Sequence, residues 1–253
     1  MSELSPLFLT LAIGALFFAG FVKGTVGFGI TLIVVPVLVL VITPQEAIVL
    51  NSLPVFIMNA ATAATTAREF RELKRIRWML PIAFVCVPVG VKVLIWIDPE
   101  PVRALIGLMI IFFIAIRFSG WHPPQISESG QKVFGAVMGV IIGFIFGMIM
   151  MPVAFIIFYI NTLALRREAF VFLLNIIATT LSLIQVSSFY WHGLYAADAW
   201  WSTLLMLVPA LAGLWVGTRF RRRLSERIFE RLVLVLLGVA GLILIVRYGT
   251  VLF

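Results

Sequence analysis

The sequence predicts an all-α polytopic membrane protein made of two inverted-topology repeats, each a broken, re-entrant helical hairpin followed by three transmembrane helices. Three observations carry this expectation. The chain of 253 residues is 62% hydrophobic and 12% charged, with a mean hydropathy of +1.15, whereas soluble domains run roughly 45–50% apolar and about 25% charged. Apolar runs long enough to span a bilayer, about 20 residues each, follow one another along most of the chain. Finally, matching sequence features recur in the same order in its two halves.

The first repeat occupies 1–118. Residues 6–43 are apolar throughout, and as one straight helix they would reach about 55 Å, nearly twice the hydrocarbon thickness. The run therefore breaks, and Gly20, Gly24, Gly27 and Gly29 around Lys23 are the expected break, because glycine weakens a helix and permits close backbone approach. Spans follow at 45–67, 78–97 and 101–118. MSELSP at the N-terminus has no basic n-region, so the first segment is expected to be retained rather than cleaved. After a loop at 119–131, the second repeat (132–253) opens with a hairpin at 133–163, where Gly135, Gly139, Gly143 and Gly147 precede Pro152. Its spans are 168–190, 199–218 and 228–247.

The duplication shows when GFGITLIVVP (27–36) is written over GFIFGMIMMP (143–152), which matches Gly27 with Gly143, Phe28 with Phe144 and Pro36 with Pro152. Gln45-Glu46-Ala47 then matches Arg167-Glu168-Ala169. Pro88-Val89-Gly90 resembles Pro209 to Gly213, and Arg103-Ala104-Leu105-Ile106 resembles Arg231-Leu232-Val233-Leu234. Such duplications are a common way of building transporters.

Charge orients the spans. The loop 68–77 (REFRELKRIR) has five basic residues and 219–231 has six, which places both in the cytoplasm. Both loops reach the same side only if 133–163 enters and returns to one face. Treating 6–43 likewise leaves an odd number of crossings per repeat, so the repeats are inverted and both termini face outward.

The glycine-rich segments GFVKGTVGFGITLIVVP and GAVMGVIIGFIFGMIMMP, each followed by a loop and Glu-Ala, resemble the sulfite exporter TauE/SafE family of membrane permeases. The likeness covers essentially the whole chain, although Ile145 and Phe146 stand where the family often has glycines. It implies a permease of the bacterial-type cytoplasmic (inner) membrane for sulfur-containing or related organic anions, of which sulfite and sulfonates are the best-known examples.

At a helix break, freed N–H groups and the positive end of a half-helix suit an anion. Gly24, Gly27 and Gly29, with Gly139, Gly143 and Gly147, are therefore the expected substrate-facing backbone, close helix packing being the other reading. Lys23 lies in the first glycine run, where an anionic substrate would partner its ammonium; the other reading is a lysine snorkelling to the headgroups. The span 45–67 carries Asn51, Ser52, Asn59, Thr62 and Thr66, and the span 168–190 carries Asn175, Thr179 and Ser182 at helical spacing. These polar stripes line a pathway or make interhelical hydrogen bonds. Glu46 and Glu168, equivalent acids at the starts of those spans, are coupling candidates or helix N-terminal carboxylates.

The composition also limits the chemistry. Eleven acidic residues, mostly near segment ends, are too few for a carboxylate-rich enzyme site, and the one cysteine, Cys86, excludes a disulfide framework and a cysteine zinc site. The net charge of +8 lies in short clusters between apolar runs, where it orients a membrane protein rather than binding nucleic acid. No HExxH or GxSxG motif occurs, which disfavours an intramembrane enzyme. The expected partners are a small anionic substrate and the lipid bilayer, with no cofactor and no metal centre. A channel remains the nearer alternative, and proton and sodium coupling are both open.

Overall fold

The structure is a computed structural model that describes residues 6–27, 29–119, 128–195, 197–220 and 226–252. These residues form ten α-helices and two 3-10 segments, with no strand among them. The helices of the first half are α1 (Pro6–Val26), α2 (Ile30–Leu38), α3 (Pro44–Thr65), α4 (Met79–Trp96) and α5 (Pro99–Ser119). Those of the second are α6 (Glu128–Ile149), α7 (Val153–Asn161), α8 (Arg167–Trp191), α9 (Ala197–Phe220) and α10 (Glu226–Tyr248). Six helices contain a stretch long and apolar enough to cross a membrane. The long helices fall close to the expected spans, because uninterrupted apolar runs in lipid must satisfy their backbone internally.

Both unusually long apolar runs are broken into a long helix and a nine-residue helix, α1 with α2 and α6 with α7. The first break falls at Gly27 and Gly29 of the expected run and not at Gly20 or Gly24, and the second falls after its glycine run. α1 continues through Gly20 and Gly24 and ends at Val26, while α6 is continuous through Gly135, Gly139, Gly143 and Gly147. The chain turns at Gly27 and Gly29, which have φ of 97° and 108°, and at 150–152, where Met150 has φ of 57° and Pro152 follows. A glycine inside a helix costs only about 1 kcal/mol and packing offsets it, whereas a left-handed residue or a proline ends the hydrogen-bonded ladder. The first residues of α6 also fall within the segment 119–131 expected as a loop, since the helix begins at Glu128.

Two compact units form, and they are not the two halves of the sequence. One comprises 1–54, 98–114 and 195–253, the other 55–97 and 115–194, so each draws helices from both halves. In the first unit α1 packs on α9. A Cβ at Gly20 would stand 2.1 Å from the Ala210 carbonyl oxygen, one at Gly24 would stand 2.5 Å from that of Leu214, and one at Gly217 would stand 2.3 Å from that of Phe21. In the second unit α4 packs on α6 through an equivalent set. A Cβ at Gly143 would lie 2.3 Å from the Ala83 oxygen, one at Gly147 2.1 Å from that of Val87, and one at Gly90 2.2 Å from that of Phe144. The absent side chains let the helix backbones touch, the usual use of small residues in membrane bundles.

Gly143 and Gly147 do in α6 what Gly20 and Gly24 do in α1, and Gly90 does in α4 what Gly217 does in α9.

The second unit has a well-defined basic end. Residues 68–77, expected as a loop, lie mostly in a 3-10 helix (Ala67–Ile76), with Glu72 paired to Arg75 at 2.9 Å. Arg166 reaches Glu69 at 3.3 Å, Arg75 donates to the Leu163 carbonyl at 3.0 Å, and the Lys132 ammonium lies 5.6 Å from the Trp78 ring. Phe134 packs against both Phe158 and Tyr159 at 5.9 Å. Within this unit, then, the chain from 134 to 159 leaves one end and comes back to it. α7 is roughly 13 Å long and is too short to cross a bilayer.

Candidate functional site

In the first unit the break at 27–29 is flanked by α1 and α2. Lys23 sits in the last turn of α1, one turn before the break rather than inside it. Its side chain is only 1% exposed, which does not suit a lysine reaching out to headgroups. Gly24 is buried against α9, and the Gly27 amide donates to the Lys23 carbonyl at 2.8 Å, so neither presents a free N–H. Gly29 differs: it caps α2, whose first-turn amides have no intrahelical acceptor, and the space a Cβ would occupy holds only Val22 Cγ1 at 3.6 Å.

α3 brings Asn51 and Ser52 into the same unit, both with no exposed surface. Ser52 donates to the Val49 carbonyl at 2.6 Å and also hydrogen-bonds Tyr195. Burial pushes the Tyr195 phenol up to about 12, against the lowering pull of the Ser52 hydrogen bond, so the phenol stays protonated. Tyr195 is buried, whereas the nearby Tyr190, Trp191 and Trp201 are exposed. Asn51 is the distinctive side chain here: neither its Nδ2 nor its Oδ1 has a hydrogen-bond partner.

The short helix α2 is pinned at its far end. Arg103 donates from Nε to the Val39 carbonyl and from its terminal nitrogen to the Ile42 carbonyl, both at 3.1 Å, and stacks on Tyr248. It thereby satisfies the C-cap carbonyl of α2 and one in the turn that follows. Next to it, Thr43 and Glu46 form a capping box for α3. The Glu46 carboxylate accepts from Thr43 N at 3.1 Å and Thr43 Oγ at 2.9 Å, and the Glu46 amide donates back to Thr43 Oγ at 3.3 Å. Pro44 occupies the first helical position, where its missing N–H costs nothing. Thr-Pro-Gln-Glu at 43–46 was a readable signal of this role. Glu168 is exposed in the first turn of α8.

In the second unit Gly139, Gly143 and Gly147 lie inside α6, facing carbonyls of α4, so the freed amides expected there are instead helical. The polar stripe of α8 is turned on its own backbone. Asn175 donates to Val171 O at 2.8 Å, Thr179 to Asn175 O at 2.7 Å and Ser182 to Ala178 O at 2.6 Å. On α3, Thr62 donates to Met58 O at 2.8 Å, and Thr66, just beyond the helix, donates to Ala63 O at 3.2 Å. With their protons so used, these hydroxyls offer lone pairs rather than donors. Asn59 is buried on the α3 segment of this unit. Lys92 is exposed with its ammonium 6.0 Å from the Trp96 ring, as a snorkelling anchor would be.

One residue escaped the sequence reading. Gln185, fully buried, donates from Nε2 to the Phe146 carbonyl at 2.9 Å and to the Gly147 carbonyl at 3.0 Å, tying α8 to the end of α6 just before its break. It continues the Asn175, Thr179, Ser182 spacing by one more step, which was the available signal.

A helical membrane protein with two broken helices, a buried lysine one turn before one break and buried amides on the helices that follow has the make-up of a permease. A family model described as sulfite exporter TauE/SafE matches residues 12–244, and the chain belongs to that family of membrane permeases. No curated protein and no solved structure matches the chain.

Proposed function

We propose that the protein is a secondary transporter of the cytoplasmic (inner) membrane that moves small sulfur-containing or organic anions, of the sulfite or sulfonate type, by alternating access. The observation that carries this reading is Asn51. A fully buried amide with no partner for donor or acceptor costs about 1–3 kcal/mol, a cost that a bound ligand repays. An anion oxygen takes the Nδ2 proton, and a protonated oxyanion or an anion carrying a hydroxyl or ammonium also supplies a donor to Oδ1. Lys23 and the first-turn amides of α2, in the same unit, add positive potential. A thermal-shift panel of sulfite, thiosulfate, sulfoacetate, taurine and small carboxylates tests it. At least one anion should raise the melting temperature saturably, and Asn51→Leu should weaken that ligand about 10- to 100-fold without lowering the apo melting temperature. Stabilisation by cations alone, or an Asn51→Leu variant with unchanged affinity, overturns the reading. Saturable flux in vesicles separates a transporter from a channel.

The paired glycine crossings support inverted repeats, since α1 on α9 and α6 on α4 are made from the same residue pattern. The basic end of the second unit, where Arg75, Lys132 and Arg166 gather, is assigned to the cytoplasm. Single cysteines placed in 68–77 and in 219–227 of a Cys86→Ala background should both label from the cytoplasmic side, with both termini labelling from outside. Opposite accessibility of the two segments would sink the inverted arrangement.

A further inference from the structure

We infer that the end of α6 holds a sodium ion, bound by Gln185 Oε1 together with backbone carbonyls freed at the break, as a coupling cation. Four observations within the second unit converge on it. α6 ends at Ile149, and helix C-terminal carbonyls form a negative pole. Pro152 has no N–H to offer the Met148 carbonyl four residues earlier, so the ladder stops there. Met150 holds a left-handed φ of 57°, unusual for a side chain of its size, which turns the chain out of the helix. Above all, Gln185 has no exposed surface and uses Nε2 to grip Phe146 and Gly147, while its Oε1 has no hydrogen-bond partner.

The donor set selects the ion. Every ligand offered is a neutral oxygen, and no group of His, Cys, Asp and Glu suited to a metal ion occurs among the described residues. Carbonyl and amide oxygens at an unwound helix suit a hard cation such as sodium, not a transition metal. The two bonds from Nε2 hold the Gln185 amide at the end of α6 and leave its oxygen uncommitted. A sodium ion carried with a monovalent anion makes the transported pair neutral, which lowers the cost of its passage through a low-dielectric path. The site itself is read from α6 and α8 alone; its coupling role rests on the permease reading above.

The test begins with purified wild-type protein melted in sodium, potassium and choline chloride at equal ionic strength. A saturable rise specific to sodium is expected. Gln185→Met, which keeps volume and removes the oxygen, should raise the half-saturating sodium about 10- to 100-fold. Pro152→Ala, which provides an N–H for the Met148 carbonyl, should weaken sodium in the same direction and localises the site even if Gln185→Met fails to fold. Equal melting in sodium and choline overturns the inference, as does a sodium effect untouched by either variant. Anion uptake into vesicles then separates the two readings. Uptake that proceeds equally without sodium removes the coupling role and leaves the permease standing. Sodium stabilisation with no uptake of any anion leaves the ion site standing and removes the permease.

Discussion

Gly147→Val should leave little or no folded protein. The new Cβ would lie 2.1 Å from the Val87 carbonyl oxygen and 3.0 Å from the Val91 amide nitrogen, both backbone atoms of α4 that no rotamer change can move. Relief requires α4 and α6 to separate, and that loses the neighbouring contacts of Gly143 on Ala83 and Gly90 on Phe144. Overpacking a core costs typically about 1–3 kcal/mol and more where backbone must shift, against a total stability of about 5–15 kcal/mol. Gly20→Val should do the same to the packing of α1 on α9, where the added Cβ would stand 2.1 Å from the Ala210 oxygen. Gly14→Ala is the contrasting control: nothing lies within 4 Å of its Cβ position, so the gain in helix propensity, about 1 kcal/mol, should leave it neutral or stabilised. Size-exclusion profiles and melting curves in detergent read all three, and a Gly147→Val protein that elutes and melts like wild type would show that the helices do not touch there.

Lys23→Ala should cut anion affinity about 10- to 100-fold, the worth of a hydrogen bond to a charged partner. The side chain is fully enclosed at the end of α1, beside the turn that leads into α2. Arginine should rescue only in part, because a planar guanidinium does not fill the place of a compact ammonium. Uptake at limiting substrate distinguishes this role from a structural one. A structural lysine would lower the melting temperature of both variants and leave the affinity of the surviving folded protein unchanged. Unaltered uptake by Lys23→Ala removes Lys23 from the site.

The membrane class, the long helices and the two broken segments were all legible in the order of residues. Each depends on a local property: twenty apolar residues in lipid close their own hydrogen bonds as a helix, and an apolar run of 38 residues such as 6–43 exceeds the bilayer. The capping box at Thr43 to Glu46 is equally local. The family likeness rests on the same short-range patterns and is met by the match over 12–244.

What only the tertiary structure decided is what each polar or small residue faces. Glycine in sequence does not distinguish a break from a close crossing, because both need the absence of a Cβ; the partner carbonyls of Ala83, Val87, Ala210 and Leu214 make that distinction, and each lies more than 50 residues from its glycine. In the same way Asn51, Ser52, Asn175 and Gln185 are alike as polar positions on apolar helices. Tertiary contacts give Ser52 to Tyr195 and Gln185 to Phe146 and Gly147, and a backbone bond takes one Asn175 N–H to Val171, while the Asn51 amide is buried with neither atom paired. Sequence by itself determined which segments are helices, since those follow from neighbours within a turn or two. Which groups remain available to a ligand depends on atoms brought together from distant segments, and the folded chain alone sets that.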